Sequence, residues 1–205
     1  KGVWAGAAIC SAPSISQWFV GGAADVTSKG KLILINSGLS EAIIDVEIWS
    51  ESGIRPPKVV TLKANSFVVQ TLDSLDPGAK RIALHIAPRS GRVNAFLVDE
   101  RGRGLKSLGG DMVNASPDPS KVVVIPAIPH MKRSDKALGH TLRVIAPGDV
   151  DARISVELIS TKGSFVPFGF DDRAVKAGIV TEIPLNPELV PSTFALKITS
   201  DRPIV

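Results

Sequence analysis

The sequence predicts an all-β chain, built as two tandem antiparallel β-sandwich domains of the immunoglobulin or fibronectin-III kind and related by an internal repeat. Three observations carry that expectation. Residues 31–53 and 141–163 align without a gap at an offset of 110, and nine of those 23 positions are identical. Within both blocks apolar and polar residues alternate with a period of two, the pattern of a strand with one wet face. The chain also carries 18 Gly and 15 Pro, spaced as turns between short strands, with no helical periodicity longer than about two turns.

Taken in order, the repeated block opens with strands over 31–35 and 141–145. Each turns at Ser37-Gly38 or Pro147-Gly148, where a glycine suits a tight turn. The next strands cover 42–49 and 152–159. Ile44, Val46 and Ile48 share one face there, as do Ile154, Val156 and Leu158. Further strands are expected over 58–62, 66–71, 81–87 and 92–99, with counterparts in the second copy. His85 falls at the position of Lys197, on the polar and solvent-facing side. Residues 105–119 are polar and carry Gly and Pro, so they read as a linker. The domain expectation is a leading strand in 1–14, of the kind that would end a preceding repeat, then a sandwich with its linker over 15–118. A second sandwich is expected over 119–205 without its final strand, and the resulting open edge is a pairing hazard that residues 3–9 would either cover or, as a strand themselves, need covered.

Composition narrows the function classes. A chain of 205 residues is long enough for two self-sufficient cores, so neither metal nor disulfide is needed for folding. The net charge of +4 is too small and too scattered to indicate nucleic-acid binding. Its densest basic stretches are Arg89 to Arg103 with Lys106, and Lys132, Arg133 and Lys136. With no Tyr and three Trp, few stacking platforms exist for sugars or bases. Cys10 is the lone cysteine and can make no internal bridge. No apolar run reaches the ~18 residues that span a bilayer, and any targeting segment or membrane anchor is expected outside this sequence.

No catalytic constellation is legible. The chain lacks G-x-S-x-G, and the string from Arg101 to Gly110 lacks the P-loop order. His130 and His140 have no partner at metal-ligand spacing, and Asp149, Asp151, Asp171 and Asp172 read as turn formers. Neither a catalytic residue, a metal nor a cofactor is therefore expected. Candidate ligand contacts are Trp18, Phe19 and Trp49, with Arg101, Arg103 and Lys106 as an anion-contacting group. The competing expectation for Trp18-Phe19 is a plug at the end of the sandwich. In the ungapped register Trp18 aligns with Ile128 and Trp49 with Ile159, so bulk persists where aromaticity does not.

Ala7-Ala8-Ile9-Cys10-Ser11-Ala12-Pro13 leads into Trp18-Phe19-Val20-Gly21-Gly22, followed by Leu32 to Asn36 and the close Thr199 to Val205. In these residues the sequence resembles a bacterial family of large secreted or membrane-tethered envelope proteins of unknown function. It departs at Gln17, where the family pattern carries a second Trp. The resemblance implies an extracytoplasmic location and supplies no catalytic residue. The expectation is a non-catalytic scaffold, spacer or protein-interaction module whose partners are other envelope proteins. The alternative is a binding module for anionic or glycan wall polymers.

Overall fold

The computed structural model describes residues 4–103, 106–130, 140–185 and 193–205. Among them the chain is all-β, and its paired strands run antiparallel. It divides into two compact units, Lys1–Asp118 and Pro119–Val205.

Unit 1 contains β1 (Gln17–Val20), β2 (Lys31–Asn36), β3 (Ala42–Ser50), β4 (Gly53–Leu62), β5 (Ser66–Thr71), β6 (Ile82–Ser90), β7 (Asn94–Arg103) and β8 (Lys106–Val113). They form two four-stranded sheets, ordered β1-β6-β3-β4 and β5-β2-β7-β8. The alternation decides which faces meet. Ile44, Val46, Ile48, Leu84 and Ile86 of the first sheet and Leu32, Leu34, Ala95 and Leu97 of the second are buried in one shared core. This is the sandwich-like arrangement in which inward residues of two sheets fill the space between them.

Several strand limits differ from the sequence expectation. β4 begins at Gly53 and includes Pro56 and Pro57, which the turn-like composition concealed. It lies at the edge of its sheet, and the β3–β4 register shifts at the prolines, from Val46↔Lys58 to Ile48↔Arg55, as Pro in a strand requires. The expected linker over 105–119 is largely strand, because β8 pairs with β7 from Arg103↔Lys106 to Leu97↔Val113. Its alternation is hidden by Gly109-Gly110, and Gly110 leaves room for Trp4, whose ring lies 2.6 Å from where a Cβ would stand. The expected leading strand is not formed over residues 4–13. That segment is held instead by the Ser14↔Val93 bridge and by Asn94 Nδ2 donating to the Ser11 carbonyl at 2.7 Å.

Trp18 and Phe19 do not plug the end of the sandwich. They sit within β1, paired with His85 and Leu84 of β6, so period-two geometry sends them to opposite faces. Phe19 enters the core and Trp18 lies on the outer face. The glycines that follow have steric reasons: a Cβ on Gly21 would meet Val113 at 2.8 Å, and one on Gly22, at φ +82°, would meet Leu72 at 2.6 Å.

Unit 2 contains β9 (Ser120–Ile128), β10 (His140–Val144), β11 (Ala152–Ser160), β12 (Gly163–Phe165), β13 (Arg173–Val175), β14 (Thr181–Leu185) and β15 (Phe194–Ile204). One sheet runs β12-β11-β15-β9, with β13 also on β11, and β10 pairs with β14. Its core gathers Leu142, Val144, Ile154, Val156, Leu196 and Ile198. The strand aligned with β6 continues to Ile204, after which Val205 and Ile145 exchange two backbone hydrogen bonds of 3.0 Å. Trp18 and Ile128 are not equivalent in pairing, since Trp18 faces His85 whereas Val124 faces Lys197.

Two outcomes follow from this packing. Gly22→Ala is expected to destabilise unit 1 by roughly 1–3 kcal/mol through overpacking against Leu72, measured by urea unfolding. Glu51 accepts the backbone N–H groups of Lys80 at 2.9 Å and Arg81 at 3.0 Å, ahead of β6. Burial raises its carboxyl, but these bonds outweigh burial and hold it below its ordinary 4.5. A depressed folded value contributes stability that is complete above the unfolded value and lost as pH falls through the folded one. Glu51→Gln should therefore flatten the decline of unfolding free energy with falling pH below about 4.5, read from urea titrations at a series of pH values.

Candidate functional site

The densest polar and aromatic constellation among the described residues lies on the outer face of the β1-β6-β3-β4 sheet. Cross-strand register creates it: Trp18 faces His85, which faces Glu47 on its other side. Inward Ile48 and Leu84 flank these positions, so alternation obliges Glu47 and His85 to point outward together. The His85 ring stacks on Trp18 at 4.2 Å and 10°, and Trp18 stacks on Trp49 at 5.3 Å. His85 Nδ1 lies 2.8 Å from Glu47 Oε2, and Nε2 lies 3.1 Å from Ser16 Oγ. Ser16 Oγ in turn donates to Asp118 Oδ1 at 2.6 Å.

Serine, histidine and carboxylate in this order are the connectivity that activates a nucleophilic hydroxyl. Hydrogen-bond accounting gives Ser16 a different part here. The Glu47 carboxylate only accepts, so Nδ1 donates to it. Ser16 has one proton and directs it at Asp118, which leaves its lone pair for Nε2. The imidazole is thus held between the Glu47 carboxylate and the Ser16–Asp118 pair and stacked on an indole. The relay therefore fastens residues 16 and 118, from the two ends of unit 1, to the middle of its first sheet. In unit 2 Lys197 faces Glu157 at the aligned positions, 3.6 Å apart, so a basic residue opposite glutamate recurs without the serine or the tryptophans.

His85 is thus not the solvent-facing residue expected from the sequence, since its side chain is 17% exposed beneath Trp18. The sequence carried half of the signal: Glu47 and His85 both stand on polar faces, but only the register shows that they meet. Ser16 and Asp118 gave no sign, because their partners lie 69 and 102 residues away.

Of the candidate ligand contacts only Trp18 and Trp49 come together, and they do not meet the basic group. Trp18, Phe19 and Trp49 are buried, which removes them as an exposed platform. The Trp49 indole N–H has no hydrogen-bond partner. Arg101, on β7 of the other sheet, is engaged by Asp99 at 2.9 Å and by Ser28 Oγ at 3.1 Å. Lys106 is exposed, and the Arg103 side chain, like Lys132, Arg133 and Lys136, lies outside the described residues. Cys10 is exposed and free. Asp172 pairs with Arg153 and Asp151 accepts the Ala177 N–H, both as turn carboxylates do. His140 opens β10 and meets Phe194 edge-on at 5.5 Å.

A hollow of about 540 Å³ lies in unit 1 against the segment that joins β1 to β2, lined by Asp25, Ser28, Lys29, Lys31, Thr71 and Asp73 among others. Burial raises the Asp25 carboxyl, but hydrogen bonds from Thr27 and Ser28 outweigh it and hold the group low. Mixed charge and internally bonded carboxylates leave the hollow without a convergent set of groups for one ligand. Among the described residues no group of three or more His, Cys, Asp or Glu is arranged to hold a metal ion, and no helix is long and apolar enough to cross a membrane.

A family of unknown function, DUF5719, matches residues 1–205. The chain belongs to that family. No curated protein matches this DUF5719 chain. A solved structure described as the crystal structure of Thermotoga maritima 1070 is similar to it at 16% identity and a TM-score of 0.43, covering 49% of this chain and 93% of the other.

If the relay is a clasp, His85→Ala is expected to lower the stability of unit 1 by about 1–3 kcal/mol. His85→Lys, which imports the unit 2 pair, should cost less. Thermal and urea unfolding of the full chain read both.

Proposed function

We propose that this chain is a non-catalytic β-sandwich module at the bacterial cell envelope, extracytoplasmic, acting as scaffold, spacer or protein-interaction domain. The observation that carries this reading is the engagement of Ser16 by Asp118 at 2.6 Å, which turns a nucleophile-like relay into a structural fastening. The recurrence of a basic residue opposite glutamate at Glu157 and Lys197 supports a sheet-stabilising role for the pair. The envelope location rests on the sequence resemblance described above. The wall-polymer alternative loses its aromatic platform, since Trp18 and Trp49 are 6% and 4% exposed.

The test is hydrolysis of an activated ester, p-nitrophenyl acetate, by the wild type and by Ser16→Ala. Equal background rates are expected, and turnover that disappears in Ser16→Ala would overturn the non-catalytic reading. Wall polysaccharide should show no saturable binding to the wild type in co-sedimentation.

A further inference from the structure

The β5-β2-β7-β8 sheet has two faces, of which the core uses one. On the other, the register lines up Val69, Ile33 and Phe96 across three strands, with Phe67 beside Ile35 on one flank and Val98 beside Lys31 on the other. Phe67 is 69% exposed and Val69 46%, so the face is apolar where a solvated sheet alternates to polar. Unit 2 supplies an internal control. At the position aligned with Ile33, Arg143 faces Glu182 on β14 with an ion pair of 2.6 Å, where unit 1 sets Ile33 against Val69. The strand pairing therefore does not require apolar residues there, and an apolar face rimmed by charge marks an interaction surface.

Half of this face is already a docking floor. Trp4 rests over Gly110, and Gly6 lies against Met112, so the stretch from Trp4 to Ile15, which contains no charged residue, crosses the β8 side. The bare remainder on β5 and β2 is continuous with that contact. The charges at one end are also complementary: Lys31 is exposed on β2, and Glu100 is the next outward residue of β7 beyond Val98.

We propose that a second copy of this chain docks here, face to face, about a twofold axis parallel to β2 and β7. Deepening the interaction-module reading and resting on it, this arrangement sets Ile33 of each copy against Phe96 of the other. Phe67 and Val69 pack on the uncharged N-terminal stretch of the second copy, and Lys31 reaches the Val98–Glu100 end. The contact is isologous, so it closes as a dimer.

Sedimentation velocity of the full chain from about 1 μM to about 1 mM tests it. A monomer–dimer equilibrium is expected for the wild type. The double variant Ile33→Arg with Val69→Glu reproduces the pair that unit 2 already folds around, and should weaken association at least about tenfold with an unchanged circular dichroism spectrum. If that variant fails to fold, Lys31→Glu weakens the dimer and Lys31→Glu with Glu100→Lys restores it. A wild type that stays monomeric throughout overturns the proposal, as does a dimer indifferent to these changes, or a monomer that instead binds phosphatidylglycerol vesicles. None of these outcomes touches the non-catalytic reading, which fails only on Ser16-dependent turnover.

Discussion

The two-residue period of the strands, locked by antiparallel pairing, is the constraint on which the rest depends. Once Ile44, Val46 and Ile48 are committed to the space between the sheets of unit 1, every residue between them is committed to the opposite face. Glu47 is thereby brought against His85, and Phe19 and Trp18 are separated to the two sides of one strand. A slip of one residue would bury Glu47 and expose the aliphatic row, so core and outer face are specified by the same choice of register. Hydrophobic burial of that row is the main favourable contribution to folding, while the polar fastenings select among arrangements that burial alone leaves nearly equivalent.

The polar groups of unit 1 follow from this economy. Asp76, 3% exposed, is tolerable inside because Arg55 reaches it at 2.9 Å from the exposed edge strand; the hydrogen bond and charge of Asp76 in turn raise the guanidinium above its ordinary value. Asn36, 2% exposed, donates to the carbonyls of Ser40 and Leu62 and so joins the β2–β3 turn to the end of β4. Asn36 thus closes a turn that pairing leaves open, while Arg55 answers one carboxylate oxygen of Asp76.

How much of this was legible in the sequence depends on range. The strands with clean alternation, such as 31–35, 42–49 and 66–71, could be read because the signal lies within a few residues. β4 and β8 were obscured by Pro56-Pro57 and Gly109-Gly110, since turn-forming residues and edge-strand residues are the same types. β1 was missed because Trp18-Phe19 is apolar on both faces, which erases the alternation. The outer-face relay was illegible for a different reason: its four members come from residues 16, 47, 85 and 118, and their meeting is a property of register rather than of any local motif.

Pro56 and Pro57 carry a consequence beyond the strand they occupy. They lie on β4, the outermost strand of the first sheet, and neither has an N–H to offer an incoming chain. At the opposite border β1 is four residues long, and its Trp18 carbonyl already receives the Ser116 N–H at 2.7 Å. Both flanks of that sheet are therefore poor templates for further strands, which disfavours ribbon-like growth along its own ladder. Crowded together at high local density, neighbouring molecules would meet this sheet through its broad face rather than by lengthening it strand by strand.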